Sequence, residues 1–346
     1  QGLSPAQVAG LSIDQQSNLL DAHGAVLSPE QMAAISKEAF ERIKDDTLEV
    51  LTPEQIARLQ SQISVLSAED LNLLNAAQLR SISPDQIPTL TDEAIAGLGI
   101  PQIQSLTNEQ VSRLKPSHIA ALRDAQISSL GLDQVRSLAP AAVAGMGREQ
   151  INGLRSVQLM AMMPSQVASL SNDAIGGLTP EQLGALDADR LQALSAAQVA
   201  SLSVQQLNAL KMYQIQAMDA TDLAGIREDA LKQLSADRLG DLSPAQVAAL
   251  TQEQIRALDE VTQIPTLSTS LIQSFTPEQI ASLRSEQVRA FSAQQLTALT
   301  PVQVAAIDPR VVAQIEAEKL GLLSHEQISA MSEQQVPAAK DSVTVA

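Results

Sequence analysis

The side chains best suited to proton transfer or metal binding near neutral pH are three histidines, His23, His118 and His325. None has a second histidine or a carboxylate three or four residues on, the spacing that sets two ligands on one helical face. The string His325-Glu326-Gln327-Ile328-Ser329 opens like the zinc-protease motif H-E-x-x-H, but Ser329 stands where the second ligand belongs. Ser117 and Ser324 each precede a histidine, yet a Ser-His-Asp triad is a relation in space, and the sequence offers no third group. The acidic pairs Asp45/Asp46 and Asp259/Glu260 lack the alternating Asp/Asn-Gly loop of a calcium site. Cysteine is absent, so thiolate ligands, thiol nucleophiles and disulfides are excluded. No phosphate-cradling glycine loop and no G-x-S-x-G nucleophile elbow occurs. The expectation is a non-enzyme with no catalytic, cofactor-binding or metal-ligating residues.

The elements that would have to position any such side chain are unusually uniform. From Ser4 to Ala339 the chain reads as 42 octads, with a seven-residue unit at 60–66 and a nine-residue unit at 259–267 that cancel. The consensus is [STD]-P/x-E/x-Q-[ILV]-A-[AS]-L. Position eight is apolar throughout, and position five is apolar in every regular octad except those with Gln16 and Gly24. Gln holds position four in about 25 octads, and 12 of the 16 prolines stand at position two.

Each position has its own chemistry. Ser, Thr or Asp at position one is a helix N-cap, accepting an orphan backbone N–H. Proline behind it suits the first helical residue, where its missing donor costs nothing. Glu at position three complements the helix dipole, and Gln at position four has the capping-box spacing. A continuous helix is ruled out, because eight residues at 100° turn an apolar stripe by 80° per octad. Recurrent proline would also break it. Each octad is therefore a helix of about one and a half turns, too short to persist without stacking on neighbours.

A helical wheel puts positions four, eight, one and five on one face and two, three and six outward. Small residues at position seven, in about 28 octads, let neighbouring helices approach. Gln at position four reads as a ladder, capping its own helix or bonding a neighbouring turn, with His23 and His118 as its replacements. Carboxylates such as Glu54, Asp70, Glu181 and Asp189 read as solvated. In the apolar cluster Leu159, Met160, Met162 and Met163, Met162 takes a core slot, while Met160 and Met163 lie nearer the surface.

The expected fold class is all-α, a right- or left-handed solenoid of very short helices, one per eight-residue repeat. It runs as one array over 1–339, with 340–346 a tail or the start of a following segment. Gaps of three or four octads between prolines point to about three helices per turn, and 42 octads to a rod of very roughly 100–200 Å. The first residues already match the end of an octad, so the array is expected to be cut from a longer one with flanking domains. No run of about 18 apolar residues is present, so membrane insertion is not expected. A net charge of −17 opposes nucleic-acid binding.

Two resemblances bear on function. Leu51–Leu59 (LTPEQIARL) and Phe275–Leu283 (FTPEQIASL) resemble the opening of the TAL effector repeat over about nine residues, without its base-reading loop. Leu194–Leu210 (LSAAQVASLSVQQLNAL) and Leu242–Leu258 (LSPAQVAALTQEQIRAL) resemble octapeptide L-[ST]-x-x-Q-[IV]-x-A arrays of very large secreted or surface proteins of Gram-negative bacteria. The second resemblance covers nearly the whole chain. It implies an extracellular scaffold, stalk, adhesion or filament-forming segment. The alternative is a protein-binding solenoid of a secreted effector or adhesin that grips a protein partner, or a second copy of itself, along one face.

Overall fold

In the computed structural model, which describes residues 2–336, the octad sets the local structure. Ser4, Ser28, Thr52, Thr276 and Thr300 stand in extended conformation at N-caps. Each side chain accepts the backbone N–H three residues on, and proline follows as the first helical residue. Among the described residues α-helices of four to six residues result, with one exception, Ile13–His23, and a few octads form 3₁₀ turns of three to six residues instead. Position eight is extended again, as at Leu122 (ψ 144°) and Leu250 (ψ 143°). An octad is thus one helical segment and a two-residue extended link. Among the described residues there is no strand and no positive φ. The fold is all-α, a solenoid of very short helices.

The chain forms two units, 1–178 and 179–346, and the division falls between two octads. In the first unit, helices pack on the third helix along: Pro29–Ala33 on Pro53–Arg58, Asp124–Ser129 on Arg148–Gly153, and Arg148–Gly153 on Asn172–Gly177. In the second unit, Pro180–Gly184 packs on Val204–Ala209, and Pro301–Ala306 on His325–Ala330. The spacing of three read from the prolines is the spacing at which helices stack.

The core is the pair of apolar slots. Ile119 and Leu122, Val167 and Leu170, and Ile255 and Leu258 are all buried, and Phe40, Phe275 and Phe291 fill the same slots with larger rings. Position seven meets position two of the octad three earlier. A Cβ on Gly145 would lie 2.1 Å from the Pro116 carbonyl oxygen, and one on Gly225 would lie 2.1 Å from that of Ala196. Small residues are needed there because backbone meets backbone.

Two expectations are corrected. Position one is at the rim rather than inside, as Ser4, Thr52 and Thr91 show, because it is extended backbone to which helical angles do not apply. Octads 12–19 and 20–27 do not form separate helices but fuse into Ile13–His23. Leu20, at position one of the second, cannot cap, and it is buried instead. The segment 340–346 and the closing residue Ala339 lie outside the described residues.

Candidate functional site

The most repeated polar side chain, Gln at position four, is buried in most octads, though Gln7 and Gln15 are exposed and Gln31, Gln86 and Gln102 half-buried. Gln110 Oε1 accepts the N–H of Thr107 at its own helix start (2.9 Å), and Nε2 donates to the carbonyls of Leu79 (2.7 Å) and Ile82 (2.8 Å). The same pattern links Gln166 to Val135 and Leu138, and in the second unit Gln246 to Ile215 and Met218 and Gln303 to Ile272 and Phe275. The acceptors are positions five and eight of the octad four earlier. One amide therefore caps the start of one helix and the end of another. This is the ladder expected from the sequence, and both of its roles occur together. The oxygen leg survives loss of the capping side chain: Arg155, Met163 and Gly131 still give their N–H to Gln158, Gln166 and Gln134.

Exceptions are handled locally. Ala39 stands where octad 36–43 lacks its glutamine, and Gln16 fills the gap from another octad. Its Oε1 accepts the Ser36 N–H (2.7 Å) and its Nε2 donates to Val8 (3.1 Å) and Leu11 (3.3 Å). That explains a buried Gln16 in an apolar slot. Gly24, the other departure at position five, leaves no room for a Cβ, which would lie 2.7 Å from Thr47 Cγ2. In the first unit every third octad from 20–27 to 139–146 departs from Gln, with His23, Thr47, Asp70, Ala94, His118 and Ala142 in turn. Sequence reasoning missed this three-octad rhythm, which marks one of the three stacks.

His118 takes the glutamine role as expected. Its Nδ1 accepts the Lys115 N–H (3.3 Å), which leaves the proton on Nε2 to bond the Leu90 carbonyl (3.1 Å). The ring is fully buried. Burial pushes its pKa below the ordinary histidine range; the Leu90 bond pulls it upward, Lys115 lowers it and Asp92 raises it. Folding also supplies the third group that the sequence withheld. Asp92 Oδ1 accepts from Ser117 Oγ (2.8 Å) and lies 3.6 Å from His118 Nε2. Serine, histidine and aspartate thus meet, but Ser117 bonds the carboxylate and both ring nitrogens hold backbone groups. No nitrogen is left to take a serine proton.

His23 does not replace Gln; it ends the fused helix and is exposed. It borders a cavity of about 300 Å³ with Asp21, Gly24, Asp46, Thr47 and Val50, where Lys44 Nζ holds Asp21 at 2.8 Å. His325 is exposed at the start of its helix, and Ser324 caps that helix through the Gln327 N–H (3.2 Å). Asp45 and Asp46 are exposed in the first turn of Asp45–Glu49. The second acidic pair diverges: Asp259 accepts from Thr262 Oγ1 (2.7 Å) and the N–H of Thr262 (2.7 Å), while Glu260 pairs with Arg284 (2.9 Å). Glu54, Glu181 and Asp189 are exposed, and Asp70 accepts the Ser67 N–H (2.8 Å) as a shortened glutamine. Met162 and Leu159 are buried, with Met160 at 54% and Met163 at 42% exposure. Among the described residues no group of three or more His, Asp or Glu could hold a metal ion.

Fold and site together define a class: an α-solenoid of octads whose recurring polar contact joins one turn to the next. No protein-family model matches the chain. No curated protein matches it either. Among solved structures, the leucine-rich repeat-containing protein LegL7 from Legionella pneumophila is similar at 15% identity, covering 73% of this chain and 78% of that one, with a TM-score of 0.14.

Proposed function

We propose that the chain is a non-enzymatic structural scaffold, an elongated spacer or stalk of a secreted or surface protein of a bacterium. The observation that carries this reading is the fate of the glutamines. The polar side chain repeated most often is in most octads turned inward and spent on joining octads, as Gln110, Gln166 and Gln246 show, and is not presented to a ligand. The meeting of Ser117, His118 and Asp92 is wired for structure as well. Resemblance of the octads to arrays in large Gram-negative surface proteins supports the setting. Small-angle scattering of the full chain tests the proposal: a radius of gyration well above the ~20 Å of a compact domain of this length is expected, and a value near ~20 Å overturns it.

Exposed apolar side chains favour a second reading, a protein-binding solenoid. Val157, Met160 and Met163 stand 51%, 54% and 42% exposed on consecutive octads. On this reading Met160→Lys with Met163→Lys abolishes binding of a partner protein while leaving stability unchanged. On the scaffold reading the pair changes neither.

A further inference from the structure

One rung of the ladder is an imidazole, the side chain whose unperturbed charge change falls nearest neutral pH. At 115–122 the buried amide of Gln is replaced by the buried ring of His118, which makes two of the glutamine's three bonds: it accepts at the Lys115 N–H and donates to Leu90, the last residue of the octad four earlier. A glutamine amide offers oxygen to the N–H at every pH. An imidazole offers a lone pair there only while Nδ1 is unprotonated.

We propose that His118 is an acid-sensitive latch, which holds octad 115–122 on octad 83–90 near neutral pH and releases it on acidification. A proton added at Nδ1 sets N–H against the Lys115 N–H, cancels the cap and places a cation in a site closed to water. Two charged groups face the ring. Asp92 Oδ1, 3.6 Å from Nε2, favours the cation, and Lys115 opposes it. Asp92 is already engaged by Ser117 (2.8 Å) and lies near Lys115 Nζ (4.0 Å). Of the other charges on packed octads, Asp85 is exposed and pairs with Arg113 (3.2 Å), and Glu93 is exposed. Arg148 and Glu149 are also exposed, with Arg148 on Asp173 (3.4 Å). The octad packed on the other side, 139–146, carries no titratable side chain. Asp92 is thus the one group facing the ring that favours its charged form, and it is shared with Ser117 and Lys115.

The sign follows from burial. With the closed-state pKa held below that of an opened, solvated histidine, the open form takes the proton first. The latch is therefore fully effective above about pH 6.5, and its contribution falls as pH drops through that value toward the closed-state pKa. Hydrogen exchange of the full chain reads this directly. Protection factors of 83–90 and 115–122, corrected for intrinsic exchange, stay level from pH 8 to 7 and then fall by up to tenfold per pH unit below about 6.5. Peptides of 243–258, held by Gln246 and Gln254, stay level throughout.

His118→Gln installs the residue that most octads carry, so it folds, and it removes the fall while keeping protection at pH 7.5. The exposed His23 and His325 are present in both proteins and cannot account for the difference. An unchanged fall in His118→Gln overturns the proposal. So does a nitrogen chemical-shift titration that places His118 of the folded chain at or above the ordinary value.

Discussion

Replacing Gln110 tests the ladder at a site with no complicating charge. Gln110→Ala removes three bonds, to Thr107, Leu79 and Ile82. The Leu79 carbonyl keeps the Ile82 N–H (3.2 Å), whereas the Ile82 carbonyl lies past the end of the helix Ala76–Ser81, where no helical donor follows. Thr107 N–H stands at a helix start and is likewise orphaned. Three bonds at about 0.5–1.5 kcal/mol each, with one buried acceptor left unpaired, give a loss of about 2–4 kcal/mol. Gln110→Glu keeps the shape but puts an acceptor oxygen where Nε2 stood, against both carbonyls. Burial and the carbonyls raise the pKa of that carboxyl in the folded state, so the penalty is small at acid pH and grows as pH rises above the ordinary glutamate value of about 4.3. Hydrogen exchange of 75–82 and 107–114 measures the effect locally, which matters because repeat arrays open in parts. The control is Gln104→Ala, an exposed glutamine with one long bond to Ser129 (3.4 Å). If Gln110→Ala costs no more than this control, or Gln110→Glu shows no pH dependence, the ladder is not what joins the turns.

Other expectations follow from single contacts. Gln16→Leu should cost about 1–3 kcal/mol by freeing the Ser36 N–H and Leu11 carbonyl, and Ala39→Gln in the same protein should recover much of it; a denaturation double-mutant cycle reads the coupling. Gly145→Ala should lower the midpoint of thermal unfolding, since its Cβ meets the Pro116 backbone at 2.1 Å, whereas Gly240→Ala, with nothing within 4 Å, should stabilise by about 0.5–1 kcal/mol. Asp259 is held below the usual carboxylate range by the Thr262 hydroxyl and by the N–H groups of Thr262 and Val261, while burial opposes them. Its turn is therefore stabilised above about pH 4 and loosens as pH falls through the folded value, and Asp259→Asn should flatten exchange of 259–267 between pH 5 and 3.

Much of this architecture could be read residue by residue because each octad position carries a distinct physical demand. Ser and Thr as caps, proline behind them, the apolar pair and the small position seven are local chemistry, and each is found in its place. What stayed hidden depends on backbone that leaves the helix or on contacts about 28 residues away. The wheel misplaced position one because Ser4 and Thr91 are extended. The fusion of Ile13–His23 turns on Leu20, a buried residue where a cap was needed, with Gln16 one turn back on the same face. Asp92 joins Ser117 and His118 only once helices three octads apart are stacked. The stack that departs from Gln was visible at every third octad, at His23, Thr47, Asp70, Ala94, His118 and Ala142, once octads are compared in threes rather than singly.

The two irregular octads show what meters the chain. In the short unit Gln62 is the third residue and in the long unit Gln263 is the fifth, yet both complete the bonding pattern, Gln62 with the Gln60 N–H (2.7 Å) and Ile35 (2.6 Å) and Gln263 with the Asp259 N–H (2.7 Å), Leu231 (2.9 Å) and Leu234 (2.8 Å). The lost and the gained residue both lie before the glutamine, and the helical segment of each unit is a 3₁₀ turn, Ser61–Val65 around Gln62 and Ile264–Thr266 just after Gln263. From glutamine onward each unit runs Gln-Ile-x-x-Leu, so register is kept by that five-residue block and not by counting to eight. Single-residue deletions and insertions are therefore absorbed at the first three positions of an octad, and the same change inside the block would throw every later rung out of step.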